Sequence, residues 1–199
     1  MTADTPYAPL RQTDEEGVRA VLDVLTEAFM NDPLACWLFP DASDRGRLQS
    51  HFYRSLLAHP TAEAYLIGRR EGASVWLTSA AGQTPDEEPP GPPEEVFGES
   101  GARLQAVGEA LAQRHPDHEP HLYLACMGVL GRRQGAGLGS VMLRHRLERA
   151  DADGLAAYLE ASSPRSRALY LRHGFEDLGE PVRVADSPLL WPMWRSPRP

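Results

Sequence analysis

Gly135, Gly137 and Gly139 crowd a short turn that follows an almost unbroken apolar run, His121–Val129. No other feature constrains the chain as tightly. An apolar run without alternation reads as a strand covered on both faces. The residues after the turn, 138–150, read as a helix closed by Asp153-Gly154. A strand that enters a helix through glycines leaves the first helical amides without partners, at the positive end of the helix dipole. Glycines also let the backbone come close to a ligand. The turn therefore suits an anion such as a pyrophosphate, with Arg132 and Arg133 adding charge beside it.

The pattern continues downstream. Residues 155–161 form a second apolar strand. Ser163-Pro164 opens a helix, with serine as N-cap and proline at the first helical position. His173-Gly174 closes it, where glycine takes a left-handed conformation. Strand, helix, strand, helix over 121–175 implies a right-handed βαβ crossover within a mixed sheet. Residues 175–184 and 189–194 supply two last strands.

The N-terminal half is less sharp. Residues 7–11 suggest a short strand, and Thr13 or Asp14 a helix N-cap followed by Glu15 and Glu16. Val18, Val21, Leu22, Leu25, Ala28 and Phe29 recur at helical spacing, and Asp32-Pro33 breaks the helix. A second helix spans 44–58. Residues 64–69 and 73–79 read as two strands around Glu71-Gly72. The segment 83–93 holds Pro85, Pro89, Pro90, Pro92 and Pro93 and reads as a surface loop. A helix over 94–113 and a polar connector over 114–120 lead back to the apolar run. With 199 residues and 42% hydrophobic content, the expectation is one domain over 1–199.

Three nucleotide-type readings compete for the glycine turn. A Walker loop needs Gly-Lys-Ser/Thr, and Gly139-Ser140 lacks the lysine. A Rossmann fingerprint needs its third glycine one residue later, although Glu160 lies near the distance of that motif's acidic residue. A Gln/Arg-x-x-Gly-x-Gly/Ala loop for the pyrophosphate of coenzyme A is met by Gln134, Gly137 and Gly139. A tight turn without a ligand is the plain alternative.

The loop has company. Met127-Gly128-Val129 precedes it, and Ala168 to Phe175 reads Ala-Leu-Tyr-Leu-Arg-His-Gly-Phe one helix and one strand later. Together these segments resemble the GNAT superfamily of N-acetyltransferases, strongly over about 55 residues within 121–175 and more loosely elsewhere. A subfamily likeness to the puromycin N-acetyltransferases runs through Glu119-Pro120, Gln134 to Ser140, Leu159-Glu160, Pro164-Arg165 and Trp191. The resemblance implies an α/β (α+β) fold: a mixed, mostly antiparallel sheet with two splayed strands, flanked by helices. It implies acetyl-CoA as co-substrate. Backbone of Met127, Gly128 and Val129 would hold the pantetheine arm like an added strand. Gly135, Ala136, Gly137, Leu138, Gly139 and Ser140 would hold the pyrophosphate, with Gln134 and Arg132 beside them. Ser163 stands where many members carry asparagine, and Arg165 and Arg167 on the same helix are candidates for the coenzyme phosphates.

The implied chemistry is attack of a neutral amine on a thioester. It needs a proton acceptor for the amine, a donor for the leaving thiolate and a donor for the oxyanion. Tyr170 is the candidate acid, Glu160 a candidate base, and the Val129 amide the candidate oxyanion donor. Glu27, Asp32 and His121 are weaker candidates for the chemistry, and Glu27, Asp32, Trp37 and Trp76 for an acceptor pocket, with Phe39 beside Trp37. The expected partner is a small-molecule amine, and a homodimer is compatible. A coenzyme-binding sensor without activity, and a protein N-acetyltransferase, remain alternatives.

Other chemistries find less support. A net charge of -8 argues against broad nucleic-acid binding. No run of ~18 apolar residues suggests a membrane span, and residues 1–9 lack the apolar core of a signal peptide. Cys36 and Cys126 fit no metal spacing and suit a reduced, cytoplasmic compartment. His115, His118 and His121 are evenly spaced, but Pro116 and Pro120 keep them off one helical face, so a solvated connector is expected rather than a metal site. No Ser-His-Asp arrangement with a nucleophile elbow is evident.

Overall fold

Among the described residues, seven strands form one sheet, and all but one of the pairings are antiparallel. The computed structural model describes residues 9–10, 14–82 and 94–198. The expected loop 83–93 lies outside them, as do Tyr7, Arg11 and Thr13. The strands are β1 (Pro9–Leu10), β2 (Glu63–Ile67), β3 (Gly72–Ser79), β4 (His121–Val129), β5 (Ala156–Ala161), β6 (Glu176–Asp177) and β7 (Trp191–Arg195), paired in the order β1-β2-β3-β4-β5-β7-β6. The helices are α1 (Glu15–Phe29), α2 (Pro33–Leu38), α3 (Arg45–Leu57), α4 (Glu94–Phe97), α5 (Glu99–Ala112), α6 (Leu138–Ala152) and α7 (Pro164–Arg172).

Alternation along β2 and β3 divides the core between two faces. Tyr65 and Trp76 join Leu143 and Leu147 of α6, whereas Ala64, Ala73 and Val75 join Val21, Leu22 and Leu25 of α1. Period-two side chains make this division automatic once both faces are covered. A third apolar cluster ties Leu38 and Phe39 to Phe97, Val107, Val182 and Leu190 beyond the sheet edge.

Several boundaries differ from the sequence expectation, each for a local reason. Asp14 caps α1 by accepting from the Gly17 amide at 3.1 Å. Asp32-Pro33 does not merely end α1. Asp32 takes the amides of Leu34 and Ala35 at 2.9 and 3.1 Å and opens α2 with proline at its first position. The expected helix 94–113 is two, split at Gly98 with φ 50°. The hairpin turns at Gly68–Glu71, with Gly68 and Arg70 at positive φ, rather than around Glu71-Gly72. The expected strand 175–184 survives only as Glu176–Asp177 and an isolated bridge from Val182 to Leu190.

Candidate active site

The site begins with an irregularity in β4. Val75 faces Cys126 and Trp76 faces Leu124, so Ala125 is an extra residue opposite β3. Such a bulge bends its strand and deepens the local twist. On its other edge β4 pairs with β5 only from His121 to Tyr123, opposite Ala156 to Tyr158. Beyond that point the two parallel strands part and a wedge opens. Hence only the first half of β4 is covered on both faces. His121 and Leu122 are buried, but Ala125, Cys126 and Met127 are partly exposed to the wedge.

The wedge belongs to a cleft of ≈ 1200 Å³. It is lined by most of the expected coenzyme residues: Met127, Gly128, Val129, Gln134, Gly135, Gly137, Leu138, Gly139, Ser140 and Ser163. Gly128 is required by packing, since a Cβ there would lie 2.8 Å from the Ala28 Cβ of α1. After the 3-10 turn Gly131–Arg133, Gly135 and Gly137 take φ of 85° and 81°, and Gly137 caps α6. Leu138, Gly139 and Ser140 form the first turn of α6, so their amides have no helical carbonyl to reach and line the cleft instead.

Three residues expected at this end lie outside the cleft lining. Ala136 is exposed and does not line the cleft. Arg132 reaches back to Glu27 at 2.8 Å, outside the lining. Arg167 turns to Asp177, its Nε donating to Oδ1 at 2.8 Å. Arg133 and Arg165 line the cleft in their place. Arg165 donates to Gln134 Oε1 at 2.7 Å, and Gln134 Nε2 donates to the Val129 carbonyl at 3.2 Å, so one side chain bridges β4 and α7. Ser163 spends its hydroxyl on a capping box with Ser166, at 3.0–3.1 Å.

Tyr170 and Glu160 both line the cleft. Tyr170 is 7% exposed, with its ring edge-on to Phe175. Burial, aided by nearby Cys126, pushes its phenol above the usual range, so it holds its proton at neutral pH. Glu160, near the end of β5, accepts from the Tyr123 hydroxyl at 2.8 Å. Burial raises the Cys126 thiol to about 12. That thiol is a small apolar group here rather than a thiolate.

The opposite end of the cleft is built by side chains of α2, α3 and α5. Asp32 lines it, and burial raises its carboxyl above the ordinary value against the two amides it caps. Glu27, on α1, lines the cleft while paired with Arg132 of the glycine loop. Trp37 and Trp76 do not line it. Trp37 donates to Asp186 at 2.8 Å and carries Arg103 over its ring, and Trp76 is wholly buried beneath α6. Phe39 does line it.

Of the three histidines in the expected solvated connector, His118 is exposed, but His115 and His121 turn inward. His121 is fully buried, and its Nε2 lies 3.0 Å from His115 Nε2. Its Nδ1 is 2.9 Å from the Glu119 carbonyl, which can only accept, so Nδ1 donates there and Nε2 receives from His115. His115 lines the cleft, and burial beside His121 lowers it to about 3, so it stays neutral. His118 lies apart against Trp194.

Two buried arginines without a sequence motif hold these walls. Arg195 of β7 grips Asp151 of α6 with two bonds of 2.7 Å and donates to the His173 carbonyl at 3.1 Å, binding the ends of α6 and α7 together. Arg45 of α3 donates to the carbonyls of Phe39, Met30 and Pro40 at 2.8, 3.2 and 3.1 Å, fixing α2. The Asp32-Pro33 cap could have been read from the sequence. The cleft-facing side of α5 could not, because Leu104, Val107 and Leu111 look like any core stripe.

Comparison with known proteins fits this geometry. The Acetyltransferase (GNAT) family model matches residues 27–175. A Corynebacterium glutamicum structure described as histone acetyltransferase HPA2 and related acetyltransferase is 25% identical, with a TM-score of 0.72, over 98% of this chain and 97% of that one. Arylalkylamine N-acetyltransferase 2 from Aedes aegypti shares the fold at 14% identity and a TM-score of 0.66, over 98% of this chain and 100% of that one. The ribosomal-protein-S18-alanine N-acetyltransferase from Escherichia coli does so at 14% and 0.54, over 97% of this chain and 94% of that one. With the matched residues running from the end of α1 through the wedge, the loop and α7, this chain belongs to the acetyltransferase (GNAT) family.

Proposed function

We propose that the chain, working as one domain, transfers the acetyl group of acetyl-CoA to a primary amine of a small molecule in a ternary complex. One observation carries this reading: a single cleft holds both the open amides of α6 and the pair Tyr170 and Glu160. The pyrophosphate lies on the amides of Leu138, Gly139 and Ser140, with Arg133 and Arg165 as flanking charge. The pantetheine arm occupies the wedge left by β5, against the backbone of Met127 to Val129. That path carries the thioester toward Tyr170.

The amine enters from the α2, α3 and α5 end. Glu160, directly or through water, takes its proton, and the neutral nitrogen attacks the thioester carbonyl. The Val129 amide stabilises the resulting oxyanion. The C–S bond then breaks, Tyr170, kept protonated by burial, donates its proton to the departing thiolate, and the cationic nitrogen of the new amide gives up its surplus proton through water to restore the phenol. Holding both substrates in one cleft supplies the proximity part of the acceleration.

Thiol release from acetyl-CoA in the presence of candidate amines tests this reading. Tyr170→Phe is expected to lower kcat by ~10²-fold, the usual contribution of a positioned acid, while acetyl-CoA affinity changes less than about twofold. Coenzyme binding without amine-dependent thiol release would instead support a sensor.

A further inference from the structure

The acceptor end of the cleft carries a feature that fold and packing leave unexplained. Gly108 lies inside α5, a 14-residue helix, where glycine is disfavoured relative to alanine. Its backbone has no left-handed φ, and a Cβ built there would meet none of the described residues within 4 Å. Neither conformation nor close packing asks for glycine. Gly108 lines the cleft between Leu104 and Leu111, one helical turn from each, so the missing side chain leaves a notch in an apolar wall.

Resting on the N-acetyltransferase reading, we propose that the acceptor is a primary amine carried on a single apolar body, a ring or short hydrocarbon chain, and that Gly108 sets the size of body admitted. The rest of that end agrees. Phe39, Phe52, Leu56, Leu77 and Val107 line it. Among the described residues, the carboxylates lining the cleft are Glu27, Asp32 and Glu160, and Glu27 is already held by Arg132. Asp32 and Glu160 match one amino group. A polyamine or aminoglycoside would leave further ammonium groups among leucines and phenylalanines, and a buried unpaired charge is strongly disfavoured. His115, held neutral by burial and secondarily by His121, adds no cation to repel the amine.

The test is thiol release with 2-phenylethylamine, hexylamine, spermidine and kanamycin, for the wild-type chain, Gly108→Ala and Gly108→Leu, with acetyl-CoA affinity measured alongside. The apolar amines are expected to be preferred by kcat/KM, and Gly108→Leu is expected to raise KM for 2-phenylethylamine by at least about tenfold, the scale of a lost methylene-sized space in an apolar pocket. Acetyl-CoA affinity should stay within about twofold, because Gly108 lies outside the coenzyme wedge. Gly108→Ala, which a helix favours, carries the same test at smaller amplitude should the leucine variant fold poorly. Preference for spermidine or kanamycin, or an unchanged KM across both variants, overturns the proposal while leaving the acetyltransferase reading intact. Failure to bind acetyl-CoA overturns both.

Discussion

The two ends of the cleft are made of different material. At the coenzyme end the groups offered to a ligand are backbone: the open amides of α6 and the edge of β4 freed by the bulge at Ala125. At the acceptor end they are side chains drawn from α2, α3 and α5. Each end has its own buried arginine. Arg195 holds α6 and α7 through a carboxylate and a carbonyl, whereas Arg45 holds α2 through three carbonyls. A backbone-built end can serve one invariant ligand. A side-chain-built end can change its ligand by substitution without disturbing the first.

The largest expected effects separate the two arginines. Arg195→Ala removes a buried side chain that ties α6 to α7 and should lower stability by ~1–3 kcal/mol in urea denaturation, with acetyl-CoA binding weakened in the surviving fold. Arg45→Ala strands three carbonyls instead. It should raise the acceptor KM more than the acetyl-CoA Kd, and equal effects of the two variants on both constants would erase the distinction. Next in size is Gly137→Val. A β-branched residue at φ 81° is strained by ~1–3 kcal/mol, so acetyl-CoA should bind about 5–150-fold more weakly in calorimetry while melting shifts only modestly.

How much of each end could be read from the residues follows from the same contrast. Backbone sites leave signatures in order and spacing, so the glycines at 135, 137 and 139 and the Ser163-Pro164 opening could be read directly. Direction of side chains could not. Arg165 and Arg167 are two residues apart on α7, and only their neighbours decide that Arg165 meets Gln134 while Asp177 takes Arg167. Trp76 looked suited to a pocket because it is large and aromatic, but strand alternation sends it beneath α6. The acceptor wall needs three helices from separate parts of the sequence, and one of them, α2, hides in the Asp-Pro that reads as a helix stop.

The smallest expected effects concern pH, and the two ends differ in sign. Arg195, through its hydrogen bonds, holds the Asp151 carboxyl below its ordinary value. Its stability contribution is therefore present above pH ~3.9 and lost as pH falls through the lower folded-state value. Asp32 is raised by burial, so its contribution declines as pH rises from ~3.9 through its folded-state value. Urea denaturation between about pH 3 and 6 should show that decline disappear in Asp32→Asn, which keeps the helix cap. An unchanged profile in that variant would remove Asp32 as the carboxylate awaiting an ammonium group.

Calorimetric titration of the intact chain with acetyl-CoA probes the backbone-built end directly. The expected result is one molecule bound per chain at about micromolar Kd, with much weaker uptake by Gly137→Val. No heat of binding at about millimolar acetyl-CoA, or equal uptake by the wild-type chain and Gly137→Val, would contradict it.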